Sequence, residues 1–305
     1  MTRPIRPFAF IAALALLFAA CDASAPDVAP GAASAAATSA PTPNTPYLTF
    51  ASEAAFGAAY ENAVKPSAAG ASTSRTDNGF VSMSAAEIAD AEAVERGELE
   101  EGAIRTSVVE DPYLASLLSP TGVVRIGESV LKVGPTTVFN GTTADVATFN
   151  TKTEEDLAGQ GYRSAPIQRT TEATSLSALQ ARCSSSYSGN DGKKYMVCGT
   201  SFITNWPWVI HSAGASTKVL KKWWFVYIPT RGQTLRLDAT HRLIAGAGPL
   251  PAATTASATA SNSYALVRIY KFAVGGADFR GTINSTHRAT HKGGSPQTTT
   301  SVSLP

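Results

Sequence analysis

The sequence lacks the signatures of the familiar catalytic classes. It contains no Gly-x-Ser-x-Gly elbow, no Ser-x-x-Lys followed by Lys-Thr-Gly, no His-Glu-x-x-His and no glycine-rich phosphate-binding loop. These absences exclude the common serine hydrolases, the zincin peptidases and the nucleotide-binding enzymes. We therefore predict no catalytic residue and no cofactor, and we expect a protein that is not an enzyme. A hydrolase with unrecognised residues is the alternative.

Histidine is also scarce, and only one pair has a spacing that suits a metal site. His287 and His291 would share one face of a helix. The surrounding residues 282–294 are rich in Thr, Ser and Gly, however, and in an extended chain the two histidines stand about 13 Å apart at ~3.3 Å per residue. We therefore predict no metal site and expect both histidines to be solvated residues of a strand or loop.

Long hydrophobic runs are absent except at the start of the chain. Two arginines precede an apolar run from Phe8 to Ala20, which is too short for a stable membrane span and is typical of a signal peptide. The run ends in Leu-Phe-Ala-Ala-Cys, which resembles a bacterial lipobox. We therefore predict a lipoprotein signal peptide over residues 1–20 and lipidation of Cys21. The alternative is an ordinary secretory signal cleaved near Ala23-Ser24-Ala25, and both predict export.

Large apolar side chains are nearly absent from residues 21–46, which are mainly Ala, Pro, Ser and Thr. Such a segment cannot bury enough surface to offset the entropy lost on ordering. We therefore predict a disordered tether. Together with lipidated Cys21, it would hold the following domain away from the inner or outer membrane of a bacterial cell envelope.

Cysteine is rare, with only three residues in the chain. With Cys21 lipidated, Cys183 and Cys198 are the remaining pair in an exported protein, and such proteins favour disulfides. A bridge would close a loop of about 15 residues and contribute on the order of 3 kcal/mol. The enclosed Ser, Gly and Asn predict a disulfide-linked hairpin. Two free buried thiols or a redox site are the alternatives, and the absence of Cys-x-x-Cys argues against the latter.

The chain is organised around residues 111–133, where a short helix precedes a β-hairpin. Asp111 suits the N-cap of a helix that starts with proline. Two strands, Val123–Ile126 and Ser129–Val133, then flank Gly127-Glu128, a pair suited to a two-residue II′ turn. A two-residue turn places Arg125 and Lys132 on the same face of the hairpin, and we predict that this face is exposed to solvent.

Helical and strand signals divide the rest of the chain. Apolar spacing predicts a helix from Glu53 to Lys65, and a capping box at Ser84 and Glu87 predicts a second helix reaching Glu101. We predict an α+β fold with a helical region over residues 47–120 and a β-rich domain over 121–305, mainly an antiparallel sandwich or barrel. The strongest strand signals are Tyr195–Thr204, Val219–Ile228, Thr234–Ile244 and Ser263–Val274.

All four tryptophans lie close together, at Trp206, Trp208, Trp223 and Trp224. Exposed tryptophans can stack on sugar rings or anchor a protein partner, whereas buried ones fill a core. We expect whichever of Trp223 and Trp224 points inward to be core. Trp206 and Trp208 flank a proline, which predicts an edge or loop position that is better placed to bind.

Charge is divided unevenly along the chain. From Ser84 to Asp111 there are nine acidic and two basic residues, a balance of −7, whereas from Arg163 onward sixteen basic and four acidic residues give +12. This asymmetry could attract an anionic partner. Because the basic residues are scattered, we favour one of two simpler explanations. Either the acidic helix docks on the basic sheet, or the charges are spread over the surface for solubility. We expect no nucleic-acid partner.

Five blocks of the sequence are distinctive as a set. They are Tyr47–Phe50, Ser52–Phe56, Gly79–Met83, Asp111–Val133 and Ser212–Lys218. Together these blocks resemble uncharacterised secreted lipoproteins of the Bacteroidetes. The resemblance covers scattered parts of residues 47–228 and includes no catalytic motif, so it implies an exported lipoprotein without active-site residues to transfer.

These observations lead to a functional hypothesis. We expect a non-enzymatic envelope protein, held at a membrane by its N-terminal lipid, that binds a carbohydrate or an envelope protein through its tryptophans. A purely structural lipoprotein is a further alternative.

Overall fold

Strands outnumber helices in this protein, and they form several antiparallel sheets that do not close into a barrel. The computed structural model describes residues 46–65, 76–77, 79–100, 103–169, 183–275 and 278–304. The predicted signal peptide, Cys21 and the predicted tether up to residue 45 lie outside the described residues. No helix among the described residues is both long and apolar enough to cross a membrane.

The first part of the chain combines a five-stranded sheet with short helices. The strand order is β1-β4-β5-β6-β7, with β1 parallel to β4 and the other pairs antiparallel. The strands are β1 (Thr49–Phe50), β4 (Val123–Ile126), β5 (Ser129–Val133), β6 (Thr137–Gly141) and β7 (Arg163–Pro166). A separate small hairpin joins β2 (Thr76–Asp77) to β3 (Phe80–Val81). The helices are α1 (Glu53–Val64), α2 (Met83–Arg96), α3 (Pro112–Ala115), α4 (Val146–Thr151) and α5 (Glu154–Ala158).

Helix boundaries follow from local capping. α1 starts where the sequence predicts, since the Ser52 side chain accepts a hydrogen bond from the Ala55 N–H. α2 starts two residues earlier than expected because Ser82, rather than Ser84, is its N-cap. It also ends earlier, since Gly97 takes a left-handed conformation with φ +74° and caps the helix.

The central hairpin has the predicted register, with Ile126 opposite Ser129 and Val124 opposite Leu131. The prediction of a solvated face is wrong for Lys132, which is buried. α4 and α5 cover that face through an apolar cluster that includes Phe149. The Lys132 ammonium donates to the carbonyl oxygens of Thr121 and Phe149 at 2.6 and 2.9 Å, and its burial lowers its pKa to about 8.

Two antiparallel sheets packed face to face form the second part of the chain. One has the order β12-β11-β10-β8, with β15 also paired to β11 and β9 to β10, and the other has the order β14-β13-β16-β17. Apolar residues from both sheets meet in shared clusters around Val197, Leu235 and Ile283. The strands are β8 (Gln168–Arg169), β9 (Tyr187–Ser188), β10 (Lys194–Trp206), β11 (Ile210–Trp223), β12 (Val226–Thr230), β13 (Gly232–Ala245), β14 (Thr254–Ser263), β15 (Ala265–Ala273), β16 (Phe279–Thr290) and β17 (Gln297–Leu304).

One predicted strand is in fact a hairpin. The segment Val219–Ile228 reverses at Trp224 and Phe225, which connect β11 to β12 with Trp223 opposite Val226. The sequence also gave no signal for β14, whose Ala, Ser and Thr residues lie on an edge of their sheet. Small polar residues suffice there because the strand has one neighbour and a largely exposed surface.

The two parts of the chain share a core. One cluster unites Phe50, Phe56 and Leu114 from the first part with Trp206, the last residue of β10, and Ile210, the first residue of β11. β1 lies before the predicted domain boundary at residues 120 and 121, and it pairs with β4, which lies after that boundary. One sheet and one core therefore continue from the predicted helical region into the predicted β-rich domain.

Candidate functional site

A cleft of about 360 Å³ lies on the outer face of β10, β11 and β12. Its other wall comes from α2 and from residues 103–106, and we call it the hairpin cleft. Its walls are mainly apolar, since they are built from Ile104, Met196, Leu220, Phe225, Val226 and Pro229. Volume and lining match those of small-molecule sites, which typically hold roughly 300–1,000 Å³ and few polar groups.

An ion pair lies within the hairpin cleft. Lys218 Nζ on β11 is 3.4 Å from Glu87 Oε2 on α2. Further along α2, Glu92 accepts a hydrogen bond from the Tyr264 hydroxyl at 2.5 Å, and Glu95, about two turns after Glu87, pairs with Lys221. The predicted docking of the acidic helix on the basic sheet is therefore confirmed. These contacts hold α2 against β11 and thereby form one wall of the cleft.

The disulfide forms another part of the cleft wall. Cys183 and Cys198 are bonded, as the sequence predicts, and they bridge antiparallel backbone segments. The enclosed residues form the predicted hairpin, in which β9 pairs with the start of β10. Because both sulfur atoms are in the bond, neither cysteine offers a thiolate to a ligand.

The turn between β11 and β12 exposes two adjacent aromatic side chains. Trp224 is 73% exposed and Phe225 is 87% exposed. Trp224 has φ +49° while Phe225 does not have a positive φ, and these are the signs of a type II′ turn. Glycine is the usual residue at that first position, and Gly127 occupies it with φ +59° in the β4–β5 hairpin. We call Trp223, Trp224 and Phe225 the aromatic tip.

Lysines surround the aromatic tip. Lys193 Nζ lies 4.5 Å and Lys221 Nζ 5.3 Å from the ring centroid of half-buried Trp223. Lys193 and Lys194 are exposed at the start of β10, and Lys222 is half-buried beside the tip. Neither Trp223 nor Trp224 belongs to a core, so the prediction that the inward one of this pair is core is wrong.

The other two tryptophans hold the two parts of the chain together. Trp206 is fully buried in the shared core, so the prediction of an edge or loop position is wrong for it. Trp208 does lie in the turn, with φ +59°, but its half-buried ring packs on the same core and under the Arg163 guanidinium at 4.8 Å. The alternation of inward and outward residues along β10 cannot predict that these tryptophans are covered, because the residues that cover them come from the first part of the chain.

The histidine prediction is also wrong in part. His287 is buried between the sheets, where its ring nitrogens each lie 2.8 Å from a hydroxyl, of Thr217 on β11 and of Ser285 on β16. Ser285 is in turn 2.6 Å from Ser201 on β10. Burial lowers the pKa of His287 to about 4. His291 is buried as well, against the Tyr195 ring. Among the described residues, no group of three or more His, Cys, Asp or Glu side chains could hold a metal ion.

Asp111 is the N-cap of α3, as predicted, and it also ties three elements together. One carboxylate oxygen accepts from the N–H groups of Tyr113 and Leu114. The other accepts from the hydroxyls of Tyr60 on α1 and Ser212 on β11, the latter at 2.7 Å. Burial raises the pKa of Asp111 above its ordinary value. The network is enclosed, so it positions elements and does not face a ligand.

Comparisons with known proteins identify no relative, since no family model, curated protein or solved structure matches this chain. The predicted membership of a lipoprotein family remains a prediction. Sequence reasoning placed a binding function near the tryptophans and Phe225, but it missed Met196 and the pairing of Glu87 with Lys218 as parts of a site. The charge asymmetry pointed towards the ion pair, because it predicted that α2 would dock on the sheet.

Proposed function

We propose that this chain is a lipid-anchored protein of the bacterial envelope that binds a small amphiphilic ligand in the hairpin cleft without transforming it. The cleft supports this proposal by its combination of apolar walls with one ion pair. An apolar body would lie against Met196 and Leu220, and an anionic or hydrogen-bonding head would reach Lys218, where Glu87 now lies.

Two further features of the cleft favour binding over catalysis. Its two charged side chains, Glu87 and Lys218, pair with each other, and its cysteines are oxidised. Glu87 and Lys218 are therefore engaged with each other, and the cysteines offer no thiolate, so no free base or thiol nucleophile is presented to a ligand among these four residues. Ser216 does line the cleft on the same strand as Lys218, and this keeps a hydrolase as the second candidate. Ester hydrolysis that Ser216→Ala abolishes would establish that alternative.

Binding can be tested with anilinonaphthalene sulfonate, a fluorescent probe with an aromatic body and an anionic head. Lys218→Met should weaken binding about tenfold or more, because it removes a charge-assisted contact. Glu87→Gln should strengthen binding, because it removes the carboxylate that competes for Lys218. Leu220→Trp should block the cleft, and Lys152→Met, at an exposed position on the first part of the chain, is the control. Equal affinity in all these variants would refute the proposal.

The predicted anchor has a separate test. The intact mass of protein extracted from membranes should show a lipidated Cys21 at the N-terminus. A soluble chain that starts after Ala25 would instead show an ordinary secretory signal. This result would not affect the proposal for the hairpin cleft.

A further inference from the structure

We propose that the aromatic tip docks on an anionic lipid surface, with Trp224 and Phe225 inserted among the head groups. This inference does not depend on a ligand in the hairpin cleft. It starts from exposure, since Trp224, Phe225 and Val81 are the large hydrophobic residues that are exposed in the described part of the chain. Two of these three are adjacent at the apex of one turn.

Backbone strain gives the second step. Both Trp208 and Trp224 have a positive φ, which disfavours any side chain other than glycine. At Trp208 the cost of the positive φ is offset, because the ring packs on the shared core and under the Arg163 guanidinium. Trp224 has no such compensation, since most of its surface is exposed. The chain therefore accepts a strained turn at a place where the fold itself would be served better by glycine.

Shape and charge select the partner. The face of the Trp223 ring lies within cation–π distance of two ammonium groups, so a sugar would have to compete with these cations for it. Trp224 and Phe225 are exposed at the apex of a hairpin turn, and aromatic residues at such positions favour the membrane–water interface. Lys193, Lys194 and Lys222 at the same end of the sheet complement anionic head groups. Asp191, which accepts a hydrogen bond from Tyr195, is an opposing charge near them.

The test uses the mature chain lacking only Cys21, so that no lipid anchor contributes. It should sediment with vesicles of equimolar phosphatidylcholine and phosphatidylglycerol, more weakly with phosphatidylcholine alone, and less in high salt. Trp224→Gly should lower the partition coefficient at least about tenfold, because it removes an apolar ring from the bilayer interface. Trp224 is not part of the cleft lining, so this variant leaves probe binding in the hairpin cleft unchanged.

Matched variants complete the experiment. Phe225→Ser should lower vesicle binding as Trp224→Gly does, but it also removes part of the wall of the hairpin cleft, so Trp224→Gly is the deciding variant. Lys193→Ser with Lys194→Ser should remove the preference for phosphatidylglycerol. Val81→Ser, at the exposed apolar residue outside the tip, should bind like the wild type. No binding to either vesicle, or equal binding by Trp224→Gly and the wild type, would overturn the proposal. A glycan or protein that binds through Trp224 in the absence of vesicle binding would overturn it as well.

Discussion

Protonation of His287 should destabilise the folded protein as the pH falls from neutral to acidic values. His287 is buried between the two sheets, and its burial lowers its pKa to about 4, against 6.5 for an ordinary histidine. The folded state therefore keeps the imidazole neutral where the unfolded chain already binds a proton. The contribution of this residue to stability is complete above pH 6.5 and is lost as the pH falls towards the folded-state value.

The size of the effect follows from the difference between the two pKa values. Each unit corresponds to 1.36 kcal/mol, so the loss between pH 6.5 and 4 approaches about 3 kcal/mol. Hydrogen bonding does not offset it, because the hydroxyls of Thr217 and Ser285 already lie at both ring nitrogens of the neutral ring. The cost comes from placing a charge where water is excluded.

Urea unfolding at several pH values measures this effect directly. The free energy of unfolding of the wild type should fall by about 3 kcal/mol more than that of His287→Gln between pH 7 and pH 4, since other titrating groups contribute equally to both proteins. His241→Gln is the matched control, because His241 is half-buried and stacked on Tyr270. A pH dependence of His287→Gln that matches the wild type within about 1 kcal/mol would refute the reasoning.

Three further predictions concern stability and can be checked by the same urea titrations at neutral pH. Trp224→Gly should leave the free energy of unfolding unchanged or raise it by about 1 kcal/mol, because the relief of turn strain offsets or exceeds the added flexibility of the unfolded chain. A loss of stability would show that the exposed Trp224 ring packs on the fold. Asp111→Ala should cost at least about 3 kcal/mol, since it leaves buried donors of α1, α3 and β11 without an acceptor, and Asp111→Asn should cost less because an amide still accepts. Replacing Cys183 and Cys198 by serine should cost on the order of 3 kcal/mol, and reductant should destabilise the wild type but not this variant.

Local chemistry explains why parts of the fold were predictable. The hairpin between Val123 and Val133 follows from alternating apolar residues around Gly127, which takes the positive φ that its turn requires. The N-caps of α1 and α3 follow from Ser52 and Asp111, whose side chains accept from nearby N–H groups. In each case the interacting groups lie within a few residues of one another.

The candidate site was less accessible to such reasoning. Val219–Ile228 was predicted as one strand because its apolar residues are continuous, and no glycine or asparagine marks the turn at Trp224. The turn is imposed by pairing of β11 with β12 and with the neighbouring strands. The aromatic tip and the apolar part of the hairpin cleft could therefore be identified only from the tertiary structure.

The sequence by itself determined the N-caps of α1 and α3, the central hairpin, the disulfide pairing and the attraction between an acidic helix and a basic sheet. These depend on neighbouring residues, on the pairing of the two remaining cysteines or on net charge. Only the tertiary structure decided that Trp206, Lys132 and His287 are buried and that Trp224 is exposed. Alternation along a strand separates its two faces, but burial of each face depends on elements that are distant in the chain and pack over it.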